Sequence, residues 1–171
     1  MSEPFIDPSK IDQRVREVLD GLGLPYEIVE IDPAYADTAE FCARYGFGMD
    51  QSGNTIIVAS KKEPRRYAAC VVKATRRLDV NHTVRKLLGV PRLSFATTDE
   101  TMALTGMMIG GVTVFALPPD LAIYVDETLF DCERIILGGG SRSCKILVAP
   151  AVFNQLRNAT VIPALSTAAD A

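Results

Sequence analysis

Asn54-Thr-Ile-Ile-Val-Ala59 and Tyr67-Ala-Ala-Cys-Val-Val-Lys73 are two apolar, β-branched runs joined by seven residues, Ser60-Lys-Lys-Glu-Pro-Arg-Arg66. Short runs rich in Val and Ile read as strands, and the polar, Pro-containing link predicts an antiparallel hairpin between them. Upstream, Ser9 followed by Asp12 can cap a helix running to about Leu22, with Ile11, Val15, Val18, Leu19 and Leu22 on one face. Tyr26 to Ile31 alternates as a strand does, and Asp37 or Thr38 opens a second helix that Gly46 and Gly48 end. Downstream, Asn81 to Leu88 reads as a third helix and Arg92 to Ala96 as a short strand. Thr97 with Glu100 forms a capping-box pattern for a helix ending at Gly106. Ala122 to Val125, Arg134 to Leu137 and Lys145 to Val148 read as further short strands, and Pro150 begins a helix reaching Leu156. Strands and helices interleave irregularly, which predicts an α+β fold around a mixed sheet.

The chain of 171 residues has the size of one ordinary domain, and no linker or repeat divides it. We expect a single domain over 1–171, with a core of about 9–162 and a loose tail at 164–171. Hydrophobic residues at 48% and charged residues at 23% exclude a disordered chain, a collagen and a coiled coil. Met1 to Lys10 carries two acids and no apolar core, so no signal peptide is visible. Thr101 to Pro119 is uncharged, but Gly106, Gly110, Gly111, Pro118 and Pro119 break it, so it reads as a buried turn-rich segment and not as a membrane span. These features lead us to expect a cytoplasmic protein. Cysteines at 42, 70, 132 and 144 have no C-x-x-C spacing, and the chain has one histidine, so we expect buried thiols and no metal site. His82, near a helix start with Asp79 before it, reads as a capping or surface residue.

Charge is unevenly spread. The net charge is −3, yet residues 61–92 hold ten of the eighteen Lys and Arg against two acids, Glu63 and Asp79. Such a local excess can steer a polyanion. Arg65, Arg66, Arg76 and Arg77 are the candidate RNA contacts; a solvated hairpin tip and helix face is the plain alternative. Gly138-Gly-Gly-Ser-Arg-Ser-Cys-Lys145 joins two expected strands, and successive glycines allow N–H groups to converge on an anion, although an ordinary β-turn fits as well. The spacing is not that of a P-loop. Gly110-Gly-Val-Thr113 would let the backbone approach a ligand closely. No G-x-S-x-G elbow and no Ser/His/Asp set is evident.

The order of motifs resembles the YbaK/EbsC family, freestanding relatives of the prolyl-tRNA synthetase editing domain. The resemblance runs from about Ile11 to Leu156. It is carried by Leu24-Pro25-Tyr26-Glu27, Asp37-Thr38-Ala39, Arg77-Leu78-Asp79, Leu104-Thr105-Gly106 with Gly110-Gly111-Val112, Tyr124-Val125-Asp126-Glu127, and Gly138-Gly139-Gly140 with Ala149-Pro150. It implies a mixed, barrel-like β-sheet surrounded by helices. It also implies hydrolysis of the ester between a wrong amino acid, of the Cys, Ala, Ser or Thr type, and the 3′ end of a noncognate tRNA such as tRNA-Pro. Its partners would be tRNA and an aminoacyl-tRNA synthetase, with no cofactor, DNA or membrane.

On that basis Asn54, Lys145 and Lys73 are the expected polar groups of the cleft. Gly110, Gly111 and Thr113 would form the amino-acid pocket wall, and Gly139, Gly140, Ser141 and Arg142 would surround the ribose or terminal phosphate. Four positions depart from the family pattern. Asn54 stands where a Lys is usual and Lys145 where an acid is common; Val114 replaces the Pro of a Gly-x-x-x-Pro loop, and Ile31 an aromatic residue. A charge moved across the cleft and a loss of activity both fit these changes. A non-catalytic module binding a nucleotide or RNA end is the competing reading. A small-molecule ester or amide hydrolase is a third, and it has no need of the basic window.

Overall fold

The structure is a computed structural model and describes residues 7–169. The expected hairpin is its centre: β2 (Gly53–Ser60) pairs antiparallel with β3 (Tyr67–Lys73) from Gly53 opposite Lys73 to Ala59 opposite Tyr67. Around it runs a five-stranded sheet in the order β5-β2-β3-β6-β9, with β5 at Leu93–Phe95, β6 at Ala122–Asp126 and β9 at Ala159–Ile162. β5 is antiparallel to β2, whereas β6 and β9 are parallel to their neighbours, so the sheet is mixed as expected. A second sheet has the order β1-β8-β7, with β1 (Tyr26–Glu30), β7 (Ile135–Gly138) and β8 (Cys144–Val148) all antiparallel. A parallel bridge between Ser52 and Ile136 joins the two sheets where β2 begins. They curve around a shared core without closing into a barrel among the described residues.

α1 (Ile11–Leu22) buries Ile11, Val15 and Leu19, one residue per turn, against the main core with Phe115, Ile135 and Phe153. Gly23 takes the left-handed conformation that ends it. Its start differs from expectation. Ser9 bonds back to Asp7 in a short 3-10 turn, and Asp12 reaches across to Ser141 instead of capping. α2 (Thr38–Tyr45) buries Phe41 and Cys42 under the three-stranded sheet. The third helix begins as a π-turn at Val80–Val84 and continues as α3 (Arg85–Leu88). α4 (Thr98–Thr105) has the full capping box, with Thr97 and Glu100 each accepting from the other's backbone N–H. The segment from Met107 to Leu121 is irregular and buries Met107, Val114 and Phe115, as expected. The Pro150 helix is a 3-10 helix, Pro150–Gln155.

The tail is not loose where expected. β10 (Ser166–Ala168) pairs with β4 (Arg76–Leu78), and Ser166 is buried. Arg76 donates to the Ser166 hydroxyl and carbonyl, and that hydroxyl donates to the buried Asp126. This network gives a short, small-residue strand enough partners to stay ordered. Residues 170–171 of the expected tail lie outside the described residues. No described helix is long and apolar enough to cross a membrane. Cys42, Cys70 and Cys144 are buried thiols as expected, whereas Cys132 is half-buried. Burial pushes the Cys70 thiol up to about 12 and the Cys144 thiol to about 11, so neither is a thiolate nucleophile near neutral pH.

Candidate functional site

β5 covers β2 only from Val58 to Ser60. Beyond it, the N-terminal half of β2 has an open edge, and a cleft of about 290 Å³ opens there. Its walls are β2 from Gly53 to Ile57, the start of α2, the loop at Ile109 and Gly110, the end of β7 and the start of β8, and Phe95 and Thr101 line it as well.

Lys145 is the second residue of β8, opposite Val29 and Gly138, and only 6% exposed. Its Nζ donates to the Gly110 carbonyl at 2.6 Å and lies 5.4 Å from the centre of the Phe41 ring. Burial, helped by the nearby Arg142 guanidinium, pulls its pKa down to about 8. The ammonium form still predominates at neutral pH, and an ammonium has three donors, of which Gly110 takes one.

Asn54 lines the same cleft. Thr38 Oγ1 donates to Asn54 Oδ1 at 2.8 Å, which fixes the amide so that its two N–H donors remain for a ligand. Asp37, at the N-cap of α2, accepts from Arg142 Nη1 at 2.8 Å, and this hydrogen bond holds its carboxyl below the usual carboxylate range. Arg142 also donates to the carbonyls of Pro33 and Ile109. It therefore clasps three loops together at the rim of the cleft. A Cβ on Gly110, whose φ is +92°, would stand 2.5 Å from Arg142 Nη1.

The two glycine runs serve each other. A Cβ on Gly111 would stand 2.2 Å from the Ser141 carbonyl oxygen, and one on Gly138 would stand 2.4 Å from the Val112 carbonyl oxygen. The Gly140 N–H donates to Gly111 O at 2.6 Å. The close approach anticipated for a ligand is thus used by one backbone segment against another. The N–H groups of Ser141 and Ser143 are taken by Asp12 and by the Ser141 hydroxyl, which itself donates to Asp12.

The structure accordingly brings Asn54, Lys145 and Gly110 into one cleft with Asp37, Thr38, Thr55 and Thr101. Lys73, Gly111, Thr113, Gly139, Gly140, Ser141 and Arg142 are not among its lining residues. Thr113 is fully buried. Gly139 packs against Cys144, and Gly140 against Ile11 and Val15. The sequence marks Asp37 and Thr38 as a helix start and gives them no further role. Phe95 and Ile109 are not evident from the sequence, because exposure of an apolar residue leaves no mark in strand or loop periodicity.

The basic window is partly neutralised within the fold. Arg65 pairs with Glu100 at 2.5 Å and lies over the Tyr67 ring, Arg66 donates to Leu88 O, and Arg76 binds Ser166 beside Asp126. Lys61, Lys62, Arg77 and Arg92 are exposed. His82 is exposed and its N–H donates to Asp79, a surface cap as expected.

Comparison with known proteins agrees with this architecture. A structure described as the hypothetical protein APE2540 superposes with a TM-score of 0.79 at 27% identity, over 90% of this chain and 99% of that one. The crystal structure of a candidate trans-editing enzyme for prolyl tRNA synthetase gives a TM-score of 0.77 at 24% identity, over 93% of this chain and 98% of that one. The sequence pattern of the aminoacyl-tRNA editing domain matches residues 32–156, a span that holds Asn54, Gly110, Lys145 and every other cleft residue. With that match over most of its length and a fold shared with the solved structures, the chain belongs to the aminoacyl-tRNA editing domain family.

Proposed function

We propose that the cleft hydrolyses the ester between an amino acid and the 3′ end of a noncognate tRNA. The observation that carries this reading is that the buried Lys145 ammonium and the Asn54 amide line one small, mixed polar and apolar cleft in a chain of the editing family. An aminoacyl ester is already activated, so the protein has to orient it and stabilise charge. Water adds to the ester carbonyl, and the negative charge that develops on the carbonyl oxygen meets donors from Lys145 and Asn54. The carbon–oxygen bond to the ribose then breaks. The ribose oxygen gains a proton, the vicinal hydroxyl helping to pass it from the attacking water. The products are the free amino acid and an intact tRNA end.

The small cleft suits a small side chain of the Cys, Ala, Ser or Thr type, and the neighbour described as a trans-editing enzyme for prolyl tRNA synthetase makes tRNA-Pro the first tRNA to try. A second reading rests on Asn54. An amide held by Thr38 supplies no positive charge, which suits a family member that binds the RNA end without hydrolysing it.

Two substitutions separate the readings. A charge-assisted hydrogen bond contributes roughly 1.5–3 kcal/mol, and 1.36 kcal/mol is about tenfold in rate. Lys145→Ala should therefore slow deacylation roughly 10- to 150-fold. Asn54→Lys should give no gain if Lys145 already supplies the charge. Deacylation indifferent to Lys145→Ala but strongly raised by Asn54→Lys supports the binding reading.

A further inference from the structure

Two of the largest exposed apolar side chains border the cleft. Phe95 is 58% exposed and Ile109 is 48% exposed, and both line it. Phe95 ends β5 opposite Val58 of β2. Directly paired residues project to one face of a sheet, and so do alternate residues along a strand. Asn54, Ile56 and Phe95 therefore share a face, and Phe95 stands four residues along β2 from Asn54, about 13 Å. Asn54 and Lys145, with the Phe41 ring beside the ammonium, lie towards the polar end of the cleft, and the exposed Phe95 lies towards the other.

Exposed cations continue from the Phe95 end. Arg92 precedes Phe95 by three residues, and the Lys61 N–H donates to the Arg92 carbonyl at 3.3 Å, so the hairpin tip with Lys61 and Lys62 adjoins the start of β5. Arg77 belongs to β4, which follows the opposite end of β3. The seven residues of β3 separate the two groups by about 20 Å.

We infer that Phe95, with Ile109 beside the same cleft, is the platform on which the 3′-terminal base of the RNA stacks, and that the strand leaves over Arg92, Lys61 and Lys62 and not over Arg77. This rests on the proposed ester hydrolysis only for placing the ester at Asn54 and Lys145. A flat aromatic face accepts any base, and adjoining cations take the phosphates that follow it. The arrangement orders the substrate along the cleft: amino acid at the polar end, base on Phe95, phosphates on the hairpin tip.

The test measures binding of uncharged tRNA with and without its terminal nucleoside. In the parent protein, removing that nucleoside should weaken binding roughly 5- to 150-fold, the usual worth of one stacked base. Phe95→Ala should abolish the difference, and Phe95→Tyr should restore it; a merely structural loss would not be specific to the RNA end. Arg92→Glu combined with Lys61→Glu should lower affinity and flatten its salt dependence, while Arg77→Glu should change neither. A parent indifferent to the terminal nucleoside, a Phe95→Ala variant that keeps the full difference, or an effect confined to Arg77→Glu would overturn the inference. Deacylation is scored separately. Hydrolysis by the parent together with unchanged end-dependence in Phe95→Ala defeats the platform and leaves the hydrolysis; the reverse pattern defeats the hydrolysis and leaves the platform.

Discussion

The Lys145 ammonium donates to the Gly110 carbonyl at 2.6 Å, and the same carbonyl belongs to a loop that Arg142 holds against α2 through Asp37. One lysine thus ties the floor of the cleft to its rim while keeping two donors for a ligand. The position is costly for the fold, because only 6% of the residue reaches water.

That cost gives a stability prediction. The folded protein holds the Lys145 proton up to about pH 8, whereas an unfolded chain holds it to its ordinary value of 10.5. Between these pH values the unfolded state binds more protons, so stability contributed by this group rises with pH across that window. The penalty is fully present below pH 8. Lys145→Met should raise unfolding stability at pH 7 by about 1–3 kcal/mol, and the gain should shrink towards pH 10.5. Denaturant unfolding at a series of pH values checks this; a gain independent of pH would place its origin elsewhere.

The same proton gives the proposed deacylation an expected pH dependence. If the charged amine stabilises the oxyanion, the enzyme-dependent rate should fall as pH rises through about 8, after subtraction of the alkaline hydrolysis of the ester itself. Lys145→Arg, whose guanidinium stays charged, should remove that fall whatever its absolute rate. A rate that climbs through pH 8 would mean that Lys145 acts as a base.

The glycine runs should prove to be structural. Gly111→Ala and Gly138→Ala each place a methyl group within 2.4 Å of a carbonyl oxygen of the facing segment. Backbone cannot yield as a flexible side chain does, so each should lower stability by about 1–3 kcal/mol. Thermal unfolding is the readout. Unchanged melting with lost activity in Gly111→Ala would return Gly111 to the pocket wall, and in Gly138→Ala would give Gly138, which lines the cleft, a part in the site.

Much of this was legible in the sequence, and the exceptions share a cause. The hairpin, α1, the Thr97–Glu100 box and the strands at 122, 135 and 144 declare themselves by periodicity or capping chemistry. β4, β9 and β10 are three or four residues long and depend on partners distant in the chain, such as Ser166 on Arg76. The cleft was legible at Asn54, Gly110 and Lys145. The Gly139–Ser143 turn was not, because whether a backbone N–H faces a ligand or Asp12 is decided by tertiary placement.

Arg76 and Arg77 are adjacent but should behave differently. Arg76 stands 3.7 Å from the buried Asp126 and binds Ser166, while Arg77 is exposed. Arg76→Ala should destabilise the protein by about 1–3 kcal/mol by leaving Asp126 short of a partner. Arg77→Ala should leave stability within about 0.5 kcal/mol. Equal effects of the two on unfolding would contradict the network that anchors β10.

The most direct test of the account is the rate at which the purified protein releases amino acid from mischarged tRNAs, beginning with Ala, Ser, Thr and Cys on tRNA-Pro. Release well above spontaneous hydrolysis is expected for at least one of them, slowed at least tenfold by Lys145→Ala. Spontaneous rates across the whole panel, from protein that is folded and binds the tRNA, would contradict it.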